Sequence, residues 1–458
     1  MANLMHLRLA AREIFEESLR AVDAGDAVRR AVQFKGTVSI GDLDLSNRCI
    51  YAIAFGKAAL AMAGALNEIL GESLTGGLLI DPRRFTLDQE IPLPKPWFCW
   101  NGGHPLPTRD SLIAAEQALE LLARANAEHA LVIFLISGGG SAMIEWPISS
   151  EISLGNLRMA NKILVACGAS ISEINAVRRA FSLIKGGRLA EKAPNCDQIT
   201  LIVSDVRPGE EWNVASGPTL PPPDNAPKAE DVIERYQLGP QLPAPILRAI
   251  DSDDRTPLSD NSMNVRRHFV LLDNNTALEA AATAARKREL TVEIARDISD
   301  EPIEAGVEKL LTRLSELKAS DGANVCLISG GEFACPVRGD GLGGRNLETA
   351  LRLAIAADRN SERIGEFVAL CAGTDGIDGN SPAAGAIVDN TTIERARTIG
   401  LDPTDFLNLS DSYSFFVALG DVITTGATGT NVRDLRILLS TRVSIPTNRD
   451  SDRIVSAT

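Results

Sequence analysis

Six short apolar runs, each closed by a glycine or a short acidic turn, constrain this chain most: "IYAIAFGK" (50–57), "LVIFLISGGG" (131–140), "ITLIVSDV" (199–206), "HFVLLDNN" (268–275), "VCLISGGE" (325–332) and "FVALCAGTDG" (367–376). Runs of this length, rich in Val, Ile and Leu, fit buried strands. Between them lie Ala- and Leu-rich stretches of helical composition, such as "SLIAAEQALELLARANAEHA" (111–130) and "TALEAAATAARKREL" (276–290). Strand, loop, helix and strand in this rhythm predict an α/β chain whose parallel sheets carry helices on both faces. Such sheets bind ligands at the carboxyl ends of their strands, which is where each of these loops falls.

At 458 residues the chain exceeds one typical core, so two or three domains are expected. The proline-rich and polar segment from "TLPPPDNAPK" (219–228) through "LSDNSMN" (258–264) is the expected boundary, separating domains at 1–240 and 265–440. The last residues, "TNRDSDRIVSAT" (447–458), read as a poorly ordered tail. A net charge of −14 lacks the positive field needed to collect nucleic acids or anionic membranes. The seven cysteines are dispersed without C-x-x-C spacing, which fits reduced thiols rather than a disulfide or zinc framework. No apolar run approaches a membrane span, and the acidic N-terminal stretch (Glu13, Glu16, Glu17) is unlike a leader peptide, so a cytoplasmic protein acting on a small molecule is expected.

Two familiar glycine motifs fail on inspection. "AFGKAA" has the Gly56-Lys57 pair of a phosphate loop, but no Ser or Thr follows and Tyr51 stands where the leading glycine belongs. "GDGLGG" (339–344) matches G-x-G-x-x-G, yet the strand after it ends in small residues rather than in a ribose-binding acid.

The placement of cations is more informative. Lys57 and Arg345 both stand at predicted helix N-termini, where the helix dipole disfavours positive charge unless an anion shares the spot. Arg178, Lys185 and Arg188 cluster in "NAVRRAFSLIKGGRLA" (175–190), with Arg178 and Lys185 on one face if the segment is helical and Gly186-Gly187 ending that helix. A solvated basic face is the alternative. Carboxylates at strand ends (Asp205, Glu332, Asp375, Asp378) suit Mg²⁺. His104 in "NGGHPLPT" is a candidate substrate contact, and Ser137 and Ser141 lack the nucleophile elbow of a hydrolase. Glycine loops, cations and carboxylates together describe a phosphoryl-transfer site.

At these residues the sequence resembles the class II glycerate kinases, whose C-terminal part is the MOFRL domain. The motifs carrying the resemblance run in order along nearly the whole chain: "AFGKAALAM", "GGHPLP", "LISGGGSAM", "NAVRRAFSLIKGGRLA", "SDVRPGEEWNVASGPTLPP", "SGGE", "GLGGRNLETAL", "AGTDGIDG", "AAGAIVD" and "DSYSFFVALGDVITTGATGTNVRDL". The resemblance implies a Rossmann-like three-layer N-terminal domain with a second, smaller α/β domain. It also implies phosphorylation of D-glycerate, or a close hydroxy acid, at the 2-hydroxyl with ATP and Mg²⁺, and is compatible with a homodimer. Lys57 and Arg345 then form the catalytic cation pair, with Asp205 (or Asp375) orienting or deprotonating the hydroxyl and both acids candidates for the metal. Ser137, Gly138, Gly139, Gly140, Ser141, His104 and Arg178 would contact the acceptor. Lys185, Gly186, Gly187, Glu332, Gly343, Gly344 and Asp375 would contact the nucleotide. Thr428, Thr430 and Asn431 are further polar contacts.

The chain departs from the family's usual pattern at Leu347 (usually Gln), at Ala180-Phe181 (usually His-Leu) and at Pro382 (commonly an acid). Loss of polar groups from a small polar site would change the accepted hydroxy acid. Two other readings stand: an NAD(P)H-dependent hydroxypyruvate reductase, the older label of many members, and a binding protein that has lost turnover.

Overall fold

The computed structural model describes residues 2–46, 49–82, 93–251, 264–321, 324–359 and 365–441. The chain forms two compact units. The first comprises Leu19–Ala277 with Ala427–Arg433; the second comprises Met1–Ser18, Leu278–Gly426 and Asp434–Thr458. These bounds differ from the expected 1–240 and 265–440. They cut within helix α1 (Ala2–Ala21) and again near the start of a later helix, and residues 427–433 return to the first unit.

In the first unit, α2 (Ala24–Ala31) leads into a small antiparallel sheet of β1 (Val32–Phe34), β2 (Val38–Ile40) and β3 (Leu43–Leu45). The main sheet contains β4 (Ile50–Phe55), β5 (Leu74–Asp81), β6 (Trp97–Asn101), β7 (Leu131–Ser137), β8 (Asp197–Val203) and β9 (Arg266–Leu272). All its pairings are parallel and the order is β6-β5-β4-β7-β8-β9. The period-two alternation of the strands separates two cores. Ala52, Ala54, Ile133, Leu135 and Leu201 pack with α2 and α3 (Ala59–Leu70). Ile53, Phe55, Val132, Phe134 and Ile136 pack with α4 (Arg109–Ala127) on the other face. This is the three-layer Rossmann-like arrangement, with its topological switch between β4 and β7.

The expected linker is partly structured. After α5 (Gly140–Met143), α6 (Leu154–Ala166) and α7 (Ile171–Ala180), the proline-rich stretch leads into α8 (Ala229–Arg235) and α9 (Ala244–Asp251). Leu157, Val177, Phe181, Val232 and Ile246 join these helices in one apolar cluster. Pro243 immediately precedes α9, so that proline starts a helix rather than separating domains. Most of 258–264 and all of the tail 447–458 lie outside the described residues.

The second unit contains most of α10 (Asn274–Arg286), then β10 (Thr291–Ile294), α11 (Ile303–Asp321), β11 (Val325–Ser329), α12 (Arg345–Arg359), β12 (Glu366–Gly373), β13 (Gly385–Asp389), β14 (Val422–Ile423) and β15 (Asp434–Thr441). Its sheet order is β10-β11-β15-β12-β13-β14. The expectation of parallel sheets fails here. Only β10 and β11 pair in parallel; β15 runs antiparallel between β11 and β12. All six apolar runs nevertheless form strands. Among the described residues no helix is long and apolar enough to cross a membrane.

Candidate active site

The loops after β4 and β7 are joined at the switch point of the first unit. Lys57 N–H donates to the Gly138 carbonyl (2.9 Å), and Ala58 N–H donates to Ser137 Oγ (2.9 Å). Gly56 has φ +114°, and a Cβ there would lie 2.3 Å from Ser137 Oγ, so only glycine lets the loops meet. Ser137 is fully buried and acts by holding the Lys57 loop.

The following glycines bring side chains close. At Gly139 (φ +82°) a Cβ would stand 3.2 Å from Lys57 Cγ and 3.3 Å from His104 Cε1. At Gly138 a Cβ would stand 1.8 Å from Asp205 Oδ2. Asn431 Nδ2 donates to that same oxygen (3.3 Å), and Asn274 Nδ2 secures the 427–433 segment through the Val432 carbonyl (2.7 Å). Lys57, His104, Gly138–Gly140 and Asp205 are therefore gathered around one glycine loop. The Thr428 hydroxyl accepts from Thr430 N–H (3.3 Å), which shapes the Asn431 turn.

The basic segment behaves differently from expectation. Helix α7 ends at Ala180, so Arg178 and Lys185 do not share a helical face. Lys185 is buried and ion-paired with the equally buried Glu145, whose carboxylate also accepts from Ser182 Oγ (2.6 Å). Burial pushes the Lys185 ammonium below its usual range while Glu145 opposes the shift. Gly186 and Gly187 donate their amides to the carbonyls of Ser216 (3.2 Å) and Gly217 (2.6 Å). Lys185, Gly186 and Gly187, expected to contact the nucleotide, thus make these contacts within the protein. Arg178 is half-buried and donates to the side-chain oxygens of Asn161 and Asn175. Ser141 Oγ lies 2.7 Å from Ser216 Oγ.

In the second unit Arg345 opens α12. Its Nε and Nη2 contact Asp434 at 2.6 and 3.1 Å, and Nη2 also contacts Glu332 (2.8 Å). Burial alone would lower the Arg345 pKa, but Asp434 and Glu332 outweigh it and hold the guanidinium well above its usual range. A carboxyl group of the protein itself occupies this helix start. Asp378 accepts from the backbone N–H groups of Asn346 (3.1 Å) and Leu347 (2.8 Å). Burial, aided by Asp434, raises the Asp378 carboxyl to about 7 against these hydrogen bonds. Asn346 Nδ2 bridges Asp378 and Asp434 at 3.2 and 2.9 Å.

The "GDGLGG" loop is likewise occupied by protein groups. Gly341 N–H donates to the Leu409 carbonyl (3.0 Å), Leu342 N–H to Asp411 (2.9 Å) and Gly343 N–H to Asn380 Oδ1 (2.8 Å). A Cβ at Gly344 would fall 2.5 Å from Asp378. Gly343 and Gly344, expected to contact the nucleotide, are packed closely against protein groups. Asp375 accepts from Ile377 N–H (3.1 Å) and belongs to the second unit, whereas Asp205 belongs to the first. Among the described residues no three His, Cys, Asp or Glu are grouped as a metal cage.

Sequence reasoning missed Asp434, Asn346 and Glu145, and gave Asp378 only as a metal candidate. Each is recognisable only through a partner distant in the chain.

The first part of the chain, residues 10–251, matches a family model described as a domain of unknown function (DUF4147), and residues 325–434 match the MOFRL family. The D-glycerate 2-kinase of Thermotoga maritima is 35% identical over 435 residues, covering 94% of this chain and 98% of that protein. The chain belongs to the glycerate 2-kinase family. A putative hydroxypyruvate reductase of Agrobacterium vitis is 34% identical, covering 86% of this chain and 87% of its own. A crystal structure of glycerate kinase from T. maritima has 32% identity and a TM-score of 0.77, covering 95% of this chain and 100% of that one. Within this glycerate 2-kinase family member, two departures fall in apolar packing. Leu347 is fully buried in the second unit's core, and Ala180 and Phe181 lie in the α6–α9 cluster, while Pro382 is exposed.

Proposed function

We propose that the chain transfers the γ-phosphoryl group of ATP to the 2-hydroxyl of D-glycerate, giving 2-phosphoglycerate and ADP. The observation that carries this reading is the fixing of the Lys57 loop onto the glycine loop after β7, beside Asp205, at the switch point of a doubly wound sheet. Asp205 orients the attacking hydroxyl. Lys57 offsets charge on the transferring group. Arg345, the other cation of the expected pair, is held in the second unit by Asp434 and Glu332.

Mg²⁺ fits the hard oxygen donors of this site, because it needs only one or two carboxylates beside substrate phosphates. Asp205 is the residue that would hold it, and the ion would neutralise phosphate charge. The reductase reading is weakened by the "GDGLGG" loop, whose amides are spent on protein groups. Strands β11 and β12, which flank that loop and α12, are separated by β15 and form no adjacent βαβ pair.

A coupled ADP-release assay with Mg²⁺-ATP and a panel of small hydroxy acids tests the reading. D-glycerate should give the highest kcat/KM, and Lys57→Ala or Arg345→Ala should each lower kcat roughly 10²- to 10³-fold. NADH oxidation with hydroxypyruvate, unaccompanied by ADP release with any acceptor, would overturn it.

A further inference from the structure

In the second unit a charged side chain stands in the middle of the sheet. Strand β15 lies between β11 and β12, and its Arg436 pairs across with Ser329, the last residue of β11, and with Cys371 of β12. The strand neighbours Leu435, Ile437, Leu438 and Leu439 are fully buried. A buried charge seldom adds stability over an apolar side chain of similar volume, so filling this place does not by itself call for arginine.

The donors of Arg436 clamp two loops. Nη1 donates to Ser329 Oγ (2.7 Å) and to the Gly330 carbonyl, and Nη2 reaches the Ser299 carbonyl (3.5 Å). The Phe333 ring lies 3.6 Å from the guanidinium and is pressed in turn on Gly306, where a Cβ would stand 2.4 Å from it. The loops also bond to each other: Ser329 Oγ donates to the Ile298 carbonyl (2.9 Å), and Glu332 N–H donates to Asp300 Oδ1 (3.2 Å). At Gly331 (φ +80°) a Cβ would fall 2.3 Å from the Ser299 carbonyl oxygen, so the approach is as close as the backbone permits. The clamped loop carries Glu332, and its Gly331 carbonyl accepts from Asp434 N–H (3.3 Å). Glu332 and Asp434 are the carboxylates that hold Arg345.

We propose that Arg436 is a positioning residue for phosphoryl transfer: by clamping loops 298–300 and 329–333 it fixes Glu332 and Asp434, and through them the direction of the Arg345 guanidinium. The inference rests on the kinase reading, in which Arg345 is one of the catalytic cations. Arginine suits the task because its planar fork reaches both loops at once, which the single ammonium of lysine does not. A displacement of about 1 Å at a reacting centre can lower a rate on the order of 100-fold, so a residue that only supports the site can still govern kcat.

Arg436→Lys in the full-length protein tests this through two readouts. In the ADP-release assay it should lower kcat roughly 10-fold in the otherwise wild-type protein, yet no more than about two-fold in Arg345→Ala, because residues acting through one group are not additive. Phe333→Leu removes the ring and keeps the donors; it should show a smaller loss with the same non-additivity, and it carries the test if Arg436→Lys fails to fold. In protein labelled with isotopic arginine, the Arg345 Nε–H, bonded to Asp434 at 2.6 Å, should exchange with solvent roughly 10-fold faster in either variant than in the wild type. Equal fold-losses in both backgrounds, or an Arg345 Nε–H as protected as in the wild type, would each overturn the proposal. Faster exchange combined with no ADP release by the wild type for any acceptor would sink the kinase reading and leave the clamp on Arg345 standing.

Discussion

At the scale of single residues, the glycines of the loop after β7 are conspicuous in the sequence, but what each one admits is visible only in space. Gly138 lets Asp205 lie against the backbone, since a Cβ would stand 1.8 Å from its carboxylate. Gly138→Ala should therefore displace Asp205 and reduce kcat about 100-fold or more while circular dichroism still reports a folded protein. Lys185 teaches the converse: a cation in a glycine-flanked motif that looks like a ligand contact is spent on a buried carboxylate. Lys185→Met should destabilise the first unit by about 3–5 kcal/mol by stranding Glu145, and the double variant Glu145→Gln/Lys185→Met should recover most of that loss in urea unfolding. An unchanged ATP KM in the double variant would agree with a packing role, whereas a large rise would restore Lys185 to the nucleotide.

At the scale of elements, the six apolar runs announced six strands, because Val, Ile and Leu in short runs can bury both faces. Among the strands that were missed, β15 carries Arg436 in "DLRILLST". That charge argues against burial in a linear reading. In the fold Arg436 is 1% exposed, stacks 3.6 Å over the Phe333 ring and donates to Ser329 Oγ (2.7 Å). The start of α12 has a similar lesson, since the group that meets its first amides is the Asp378 carboxyl. Its carboxyl keeps a proton up to about pH 7 when folded and loses it near 3.8 when exposed. Between those values unfolding releases a proton, so rising pH favours the unfolded chain. The stability of the wild type relative to Asp378→Asn should fall as pH rises from about 4 to 7, by up to ~1.4 kcal/mol per pH unit, and level off above that. Urea midpoints at pH 5, 6, 7 and 8 would measure it; a gap that widens with pH would contradict the assignment.

At the scale of the whole molecule, the chain's units are not consecutive segments. The first turns of α1 belong with the second unit, where Arg8 pairs with the buried carboxylates of Asp389 (2.5 Å) and Asp421, and Arg288 meets Glu13 and Glu17 at 2.8 Å each. Arg8→Ala should cost about 1–3 kcal/mol, because it leaves buried acceptors less satisfied. The loss should appear in the hydrogen exchange of β13 and spare that of β7. Protection lost equally in both strands would show that the two units unfold as one.

The sequence by itself determined the α/β class, the apolar strands, the glycine loops at their ends and the motif order of a glycerate 2-kinase, because strand burial and loop conformation are written in local residue types. The tertiary structure alone decided which charges are spent inside the protein and which remain for a ligand. Lys185, Arg345 and Asp378 meet partners up to 89 positions away, and Asp205 meets Asn431 from 226 positions away. A charge is neutralised through a few ångströms of space, and separation along the chain carries no trace of that distance.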